Sequence, residues 1–255
     1  SYCFSGYETG PPPPPLSERR GLDSYEEAFY YLLLNVDAQA ALILLEEEYG
    51  AVCYREGIYG ETITVPDEPL VAVIQLKGHS WTIISLINIP FSKKAFKGFY
   101  SGNIDKVEHI VKEISEISQT KVAYFRGIEP DYGIQFIFYD SGNLKGKILF
   151  SHFFVRGREG QRVDSELINY LLENDDDYIL DSYFRYVFPE DGIDKVEVRY
   201  DYWEVTDKFM KENDAYVPCI TWYVPRDQTT AKVSIRGLDY EDFLHFRLVR
   251  LREAN

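Results

Sequence analysis

The chain has 255 residues, of which 45% are hydrophobic and 27% are charged, a composition typical of a folded protein with a sizeable core. Aromatic residues make up 16% of the chain, with 21 Tyr and 16 Phe, and this content argues against an intrinsically disordered protein. The 42 acidic residues outnumber the 27 basic ones, and the net charge of −15 repels phosphate backbones and anionic lipids, so it argues against nucleic acid and membrane surfaces as partners.

Residues 1–15 form a proline-rich N-terminal arm that ends in five consecutive prolines. Residues 10–15 are predicted to adopt an extended polyproline II helix. Such a ridge either docks in an aromatic groove of another protein or packs on its own domain. The arm has no basic start followed by an apolar stretch, so we expect no secretory signal. The longest apolar run, residues 40–45, is too short to cross a bilayer.

Two helices are predicted before the first strands. Ser24 and Glu27 have capping-box spacing, and the apolar residues that follow have helical spacing. The inward residues of this helix would be Phe29, Leu32, Leu33 and Val36. Asp37 can cap a second helix, which Gly50 ends. Its inward residues would be Ala40, Ala41, Leu44 and Leu45, with Glu46, Glu47 and Glu48 directed outward.

The middle of the chain predicts a hairpin, a helix and a meander. Residues 51–55 and 70–75 are typical of strands, and a turn at 77–80 leads into a strand over 81–86. A helix begins at Asn103, with an ion pair between Glu108 and Lys112. Its inward stripe would be Ile104, Val107, Ile110, Ile114 and Ile117. Strands follow at 121–125, 134–139 and 147–154, joined by turns at 130–133 and 140–143.

The last hundred residues give weaker signals. A loop at 156–162 precedes a short helix that Asp164 can cap. Periodicity does not decide between helix and strand for residues 178–188. Alternation from Val196 to Tyr202 predicts a half-buried strand. Thr206 is predicted to cap a helix of one or two turns that ends near Asn213. The last strands are predicted at residues 219–223, 231–235 and 243–251.

These elements predict an α+β fold with a largely antiparallel sheet and helices packed on one side, because short turns between strands prevail over regular βαβ alternation. We expect two lobes, residues 16–158 and a smaller one at 159–255, with one continuous domain as the alternative. The motif Arg-Gly-Leu-Asp occurs at residues 20–23 and again at 236–239, but four residues are too few to establish a repeat.

Motifs for metal, redox or cofactor chemistry are missing from the sequence. The three cysteines are Cys3, Cys53 and Cys219. Their wide spacing fits neither a zinc site nor a disulfide framework, so we expect a reducing, cytoplasmic compartment. The four histidines, His79, His109, His152 and His245, lack ligand spacing and are predicted to be structural. Nucleotide-binding, zinc-protease and hydrolase motifs do not occur, so no cofactor is expected and no catalytic residue is identified.

Two charged segments are candidate binding sites. The first consists of Asp175, Asp176 and Asp177. These aspartates are a solvated acidic face, a divalent-cation site or a landing site for a basic partner, although the pattern of a calcium loop fails because Leu180 stands where that loop has Gly. The second consists of Arg156, Arg158 and Arg162. Arginines on such a glycine-containing loop either clamp a phosphate or carboxylate or neutralise the protein's own carboxylates.

The stretch from Leu70 to Leu149 has a distinctive layout. Gly78-His79-Ser80-Trp81 leads into Thr-Ile-Ile, an amphipathic helix, Val-Ala-Tyr-Phe, Asp-Tyr-Gly, a Phe/Tyr strand and Asp-Ser-Gly. In order and spacing this resembles small uncharacterised bacterial α/β proteins, some of which occur in immunity-protein-like contexts. The resemblance implies no functional residues.

Two hypotheses for function follow. The first is a non-catalytic binding protein, of the immunity or inhibitor kind, whose acidic and Tyr-rich surface binds a basic protein partner. The second is an enzyme with an unrecognised site that acts on an anionic small molecule through the loop at 156–162. A pocket that joins those arginines to a group of shifted pKa favours the enzyme, whereas a flat, acidic, aromatic surface favours the binding protein.

Overall fold

The computed structural model describes residues 12–23, 29–56, 59–64, 70–86, 104–127, 134–153, 181–197, 202–223, 225 and 229–251. Five strands of these residues lie outside the large sheet: β1 (Gly21–Leu22), β4 (Ile63–Thr64), β12 (Tyr216–Val217), β13 (Ile220–Tyr223) and β14 (Thr230–Ile235). Ten further strands form one sheet. They are β2 (Phe29–Leu34), β3 (Ala51–Glu56), β5 (Leu70–Leu76), β6 (Thr82–Leu86), β7 (Lys121–Gly127), β8 (Ile134–Asp140), β9 (Asn143–Phe153), β10 (Asp181–Phe188), β11 (Ile193–Glu197) and β15 (Phe243–Leu251).

The large sheet has the strand order β11-β10-β9-β8-β7-β2-β6-β5-β15-β3. Every neighbouring pair in it runs antiparallel. The predicted α+β fold with a largely antiparallel sheet is therefore confirmed. Strands β10, β11 and β15 follow residue 158, so the sheet takes strands from both predicted lobes.

The helices of the described residues are α1 (Ala38–Tyr49), α2 (Ile104–Ser118) and α3 (Tyr202–Glu212). Helix α1 packs on β3, β5 and β15, and α2 packs on β7 and β8. Both helices bury side chains in the same core cluster. Helix α3 lies on the opposite face, where the ring of Phe209 lies 5.5 Å from that of Phe136 and 5.0 Å from that of Phe138. The expectation that all helices pack on one side thus holds for α1 and α2 only.

A third layer completes the face on which α3 lies. Strands β1 and β12 form a parallel pair, and β13, β14 and β4 form a small antiparallel sheet. Two tyrosines bond the opposed residues Ile220 and Ile235 of this layer. The Tyr31 hydroxyl donates to the Ile220 carbonyl (2.8 Å) and accepts from its N–H (3.1 Å). The Tyr59 hydroxyl accepts from the Ile235 N–H (2.9 Å). Hydroxyls therefore satisfy backbone groups at both edges of the pair.

The helix predicted from Ser24 is wrong where the structure describes it, because residues 29–34 form the central strand β2. Leu32 and Leu34 point to α1 and α2, while Tyr31 and Leu33 point to the third layer. A strand covered on both faces is apolar at every position, and a continuous apolar run also contains helical spacing. Periodicity could not separate the two structures here.

Two smaller predictions near α3 are also corrected. Tyr202, predicted to end a strand, lies in the first turn of α3, while β11 covers Ile193–Glu197. Thr206 lies inside the helix, where its hydroxyl donates to the Tyr202 carbonyl (2.7 Å) instead of capping. The undecided stretch at 178–188 contains strand β10 (Asp181–Phe188). The helix predicted at Asp164 lies outside the described residues.

The remaining predicted helices and strands are confirmed within the described residues, which do not include the turn predicted at 130–133. Ala40, predicted to be directed inward, is exposed on α1. Asp37 caps α1 by accepting the Ala40 N–H at 2.8 Å, and Gly50 ends it in the left-handed conformation. The meander of β7, β8 and β9 turns tightly at Ser141 and Gly142, whose φ angles are 48° and 83°. Two consecutive positive φ angles match the right-handed twist of a two-residue hairpin, which explains the glycine.

Candidate functional site

Helix α1 presents its acidic end to solvent. Its buried residues are Ala38, Ala41, Leu44 and Leu45. They fix the rotation of the helix, so that Glu46, Glu47 and Glu48 are exposed, as the sequence predicts. The same rotation exposes Ile43, whose exposed fraction is 46%. The outer surface of α1 therefore combines carboxylates with an apolar side chain.

Helix α2 adds a second row of carboxylates. Val107, Val111 and Ile114 are buried, which directs Asp105, Glu113 and Glu116 outward. The predicted inward stripe is displaced by part of a turn, because Val111 is buried while Ile117 has an exposed fraction of 48%. Together α1 and α2 contain seven acidic residues and two lysines. We define the acidic helical face as the exposed residues Ile43, Glu46, Glu47, Glu48, Glu113, Glu116 and Ile117.

One phenol reports the field between the two helices. Tyr49, at the end of α1, packs on the core cluster beneath both helices. Its pKa is raised, first by burial and then by the charges of Glu113 and Glu48. A carboxylate from each helix thus acts on the same phenol, so the end of α1 and Glu113 of α2 contribute to one negative field.

Glu108 is the carboxylate of α2 that serves the fold. It accepts the Tyr139 hydroxyl (2.7 Å), and both of its oxygens accept from Lys147 Nζ (3.1 and 2.9 Å). Burial and the hydrogen bond to Glu108 raise the pKa of Tyr139, so the phenol stays protonated as a donor. The predicted pair of Glu108 with Lys112 is wrong, since Lys112 lies 3.6 Å from Glu116 instead. Glu108 instead contacts Tyr139 of β8 and Lys147 of β9.

A buried polar cluster lies on the face of the sheet opposite α1 and α2. Asp23 has an exposed fraction of 1% and accepts the Tyr216 hydroxyl at 2.6 Å. Arg19, exposed by 7%, donates from Nε to the Pro14 carbonyl (3.0 Å). His79 donates from Nε2 to the Leu16 carbonyl (2.7 Å). The cluster joins residues 14–23 to β12 and to the turn between β5 and β6.

The chemistry of this cluster fits a structural clamp. Burial, and then the charge of Asp23, raise the pKa of Tyr216 far above its ordinary value. A phenol held neutral in this way is a hydrogen-bond donor and not a nucleophile. Burial lowers the pKa of His79, although its bond to the Leu16 carbonyl acts in the opposite direction. Sequence reasoning missed this cluster because Asp23 and Tyr216 are 193 positions apart.

The repeated tetrapeptide has a limited structural parallel. Gly21 and Gly237 both have positive φ angles, 82° and 72°, and Leu22 and Leu238 are both buried in one core cluster. Their aspartates differ, because Asp23 bonds Tyr216 whereas Asp239 caps the turn that ends at Asp242. The motif thus places a glycine of positive φ and a buried leucine in two settings, strand β1 and the turn after β14.

The sequence-predicted site residues lie outside the described residues. They are Arg156, Arg158, Arg162, Asp175, Asp176 and Asp177. Their roles stay predictions, and so does the loop that carries the arginines. Within the described residues, no His, Cys, Asp or Glu side chains form a group of three that could hold a metal ion. Cys219 and His79 are buried, whereas His109 is exposed on α2.

Comparison of the chain with family models, with curated proteins and with solved structures gave no match. Among the helices that the structure describes, none combines the length and the apolar character needed to span a bilayer.

Proposed function

We propose that the chain is a non-catalytic binding protein of the immunity or inhibitor kind, which binds a basic protein partner on its acidic helical face. The observation that carries the proposal is the exposure of carboxylates on both α1 and α2, each row with an exposed isoleucine on the same helix, Ile43 or Ile117. The net charge of −15 steers a basic surface toward the chain. The resemblance of the stretch from Leu70 to Leu149 to proteins in immunity-like contexts agrees with this function.

The composition of the face suits a protein interface. Interfaces combine an apolar centre with a polar rim, and charged rims act mainly on the association rate. Ile43 and Ile117 are each about half exposed, so complete burial of one would contribute about 1 kcal/mol. Glutamates around them supply attraction for Lys and Arg side chains of a partner. The partner class is thus a protein with a basic patch that surrounds small apolar contacts.

Affinity capture with two matched variants tests the proposal. The face variant replaces four carboxylates of the acidic helical face by Gln. These are Glu46, Glu47, Glu113 and Glu116. The control variant makes the same change at four exposed glutamates outside α1 and α2. These are Glu61, Glu204, Glu212 and Glu241. Both variants lose the same formal charge, so any difference between them reports the location of the charge.

The wild-type chain and both variants are immobilised at equal density and exposed to cleared bacterial lysate. We expect basic proteins that the wild type and the control variant retain and that the face variant loses, as quantified by mass spectrometry. A third arm, D175N/D176N/D177N, tests the contribution predicted for those aspartates. Equal retention by the face and control variants would contradict a docking role for α1 and α2. Retention of nucleic acid instead of protein would overturn the partner class.

A further inference from the structure

The proline segment, residues 12–15, presents an ordered ridge. Pro15 has φ −50° and ψ 146°, close to polyproline II geometry, with ψ at the polyproline II value and φ at the less negative limit for proline. Pro12, Pro13 and Pro14 each precede another proline, and both the ring and that following proline hold them in the same region. A polyproline II helix has three residues per turn, so Pro12 and Pro15 share one edge. Pro12, Pro13 and Pro15 are exposed and Pro14 is half-buried, so two of the three edges face solvent.

The C-terminal end of the ridge is anchored to the body. The Pro14 carbonyl accepts Arg19 Nε (3.0 Å), and the Pro15 carbonyl accepts the Glu18 N–H (2.9 Å). The Leu16 carbonyl accepts His79 Nε2, and Ser17 lies against Gly78. These contacts fix the direction of the ridge. Residues 12–15 would therefore lose little conformational entropy when a partner binds them.

We propose that residues 12–15 are a docking ligand for a second protein, one with an aromatic groove that recognises polyproline II helices. Such grooves take up adjacent edges of the helix between aromatic rings, and here the edge of Pro12 and Pro15 and the edge of Pro13 are exposed. Contacts of the following residues run to β12 and the end of α3, on the side of the sheet opposite α1 and α2. The site is therefore distinct from the acidic helical face.

The charges beside the ridge decide which kind of partner groove fits it. Glu18 follows the prolines as an exposed carboxylate. Arg19 is buried, and Arg20 forms an ion pair with Asp214. A groove that relies on an acidic pocket for a flanking arginine is thus mismatched to this segment. The partner that fits has an aromatic groove with a neutral or basic rim, and ring stacking supplies the contact.

Titration of the full chain with purified WW and EVH1 domains, followed by fluorescence anisotropy, tests this inference. We expect saturable binding, and the variant P12A/P15A should weaken it about tenfold or more. The matched control is P14A, which removes a ring from the half-buried edge while keeping the carbonyl that Arg19 contacts. It should change the affinity by less than about twofold. Circular dichroism melts of each variant verify that the fold is retained.

Two results would overturn the inference. The first is the lack of saturable binding to every WW and EVH1 domain tested. The second is an equal loss of affinity in P14A and P12A/P15A, which would mean that the groove binds a detached extended chain and not the ridge that this fold presents. The acidic helical face plays no part in either result, so the proposed function would stand independently.

Discussion

Replacement of Tyr31 by Phe removes one oxygen atom from the centre of the molecule. Tyr31 has an exposed fraction of 1%, and its hydroxyl serves both the N–H and the carbonyl of Ile220. A buried polar group that loses its partner costs about 1–3 kcal/mol, and here two groups lose theirs. With partial relaxation of β13, we expect the free energy of unfolding to fall by about 2–4 kcal/mol.

Urea unfolding followed by circular dichroism measures this loss, and the dependence on urea should keep its slope because the fold and its buried surface are unchanged. Tyr223→Phe is the matched control, because Tyr223 lies on β13, the strand of Ile220, and has an exposed fraction of 66%. This change should alter the free energy of unfolding by less than about 0.5 kcal/mol. A Tyr31→Phe variant as stable as this control would mean that this hydroxyl does not hold the third layer against β2.

Three further perturbations test packing and charge elsewhere. Ile114→Ala should cost about 2–5 kcal/mol in urea melts, and a loss below about 0.5 kcal/mol would show that this face of α2 is not buried. Gly78→Ala should lower the free energy of unfolding more than Gly60→Ala. Both glycines have φ near 80° (80° and 75°), but only at Gly78 would the new Cβ meet Ser17, at 2.6 Å. Equal losses of stability in the two variants would exclude that contact. Burial lowers the pKa of His79 below 6.5, so the folded state favours the neutral ring and stability should decline as the pH falls below about 6.5. His79→Gln should flatten that decline in pH-dependent urea melts, and an unchanged slope would contradict the assignment.

The sequence predicted correctly those helix ends and turns that depend on a few adjacent residues. Asp37 and Gly50 delimit α1, and Ser141 with Gly142 forms the turn of a hairpin, because a cap or a left-handed turn depends on a few adjacent residues. Strand β2 was missed because its form depends on two covering layers built from distant segments. The capping-box spacing that begins at Ser24 could not reveal those layers.

The candidate site was predicted in part. The outward direction of Glu46, Glu47 and Glu48 follows from helical periodicity, which a single helix is enough to show. The pairing of Glu108 with Lys147 could not be predicted, because it depends on which strand lies beneath α2. The exposure of Ile117 has the same origin, since contact with the sheet decides which residues of the apolar stripe are covered. Tertiary contacts thus decided the details that helical spacing left open.

Docking on the acidic helical face is tested by the association rate of the basic partner retained by affinity capture, measured by stopped-flow fluorescence. Electrostatic steering is screened over about 8 Å at physiological salt, so the rate should fall steadily between about 0.05 and 0.5 M salt. At low salt the face variant should associate about fivefold more slowly than the wild type, and the control variant should remain within about twofold. A rate indifferent to salt, or slowed equally by both variants, would contradict docking on the acidic helical face.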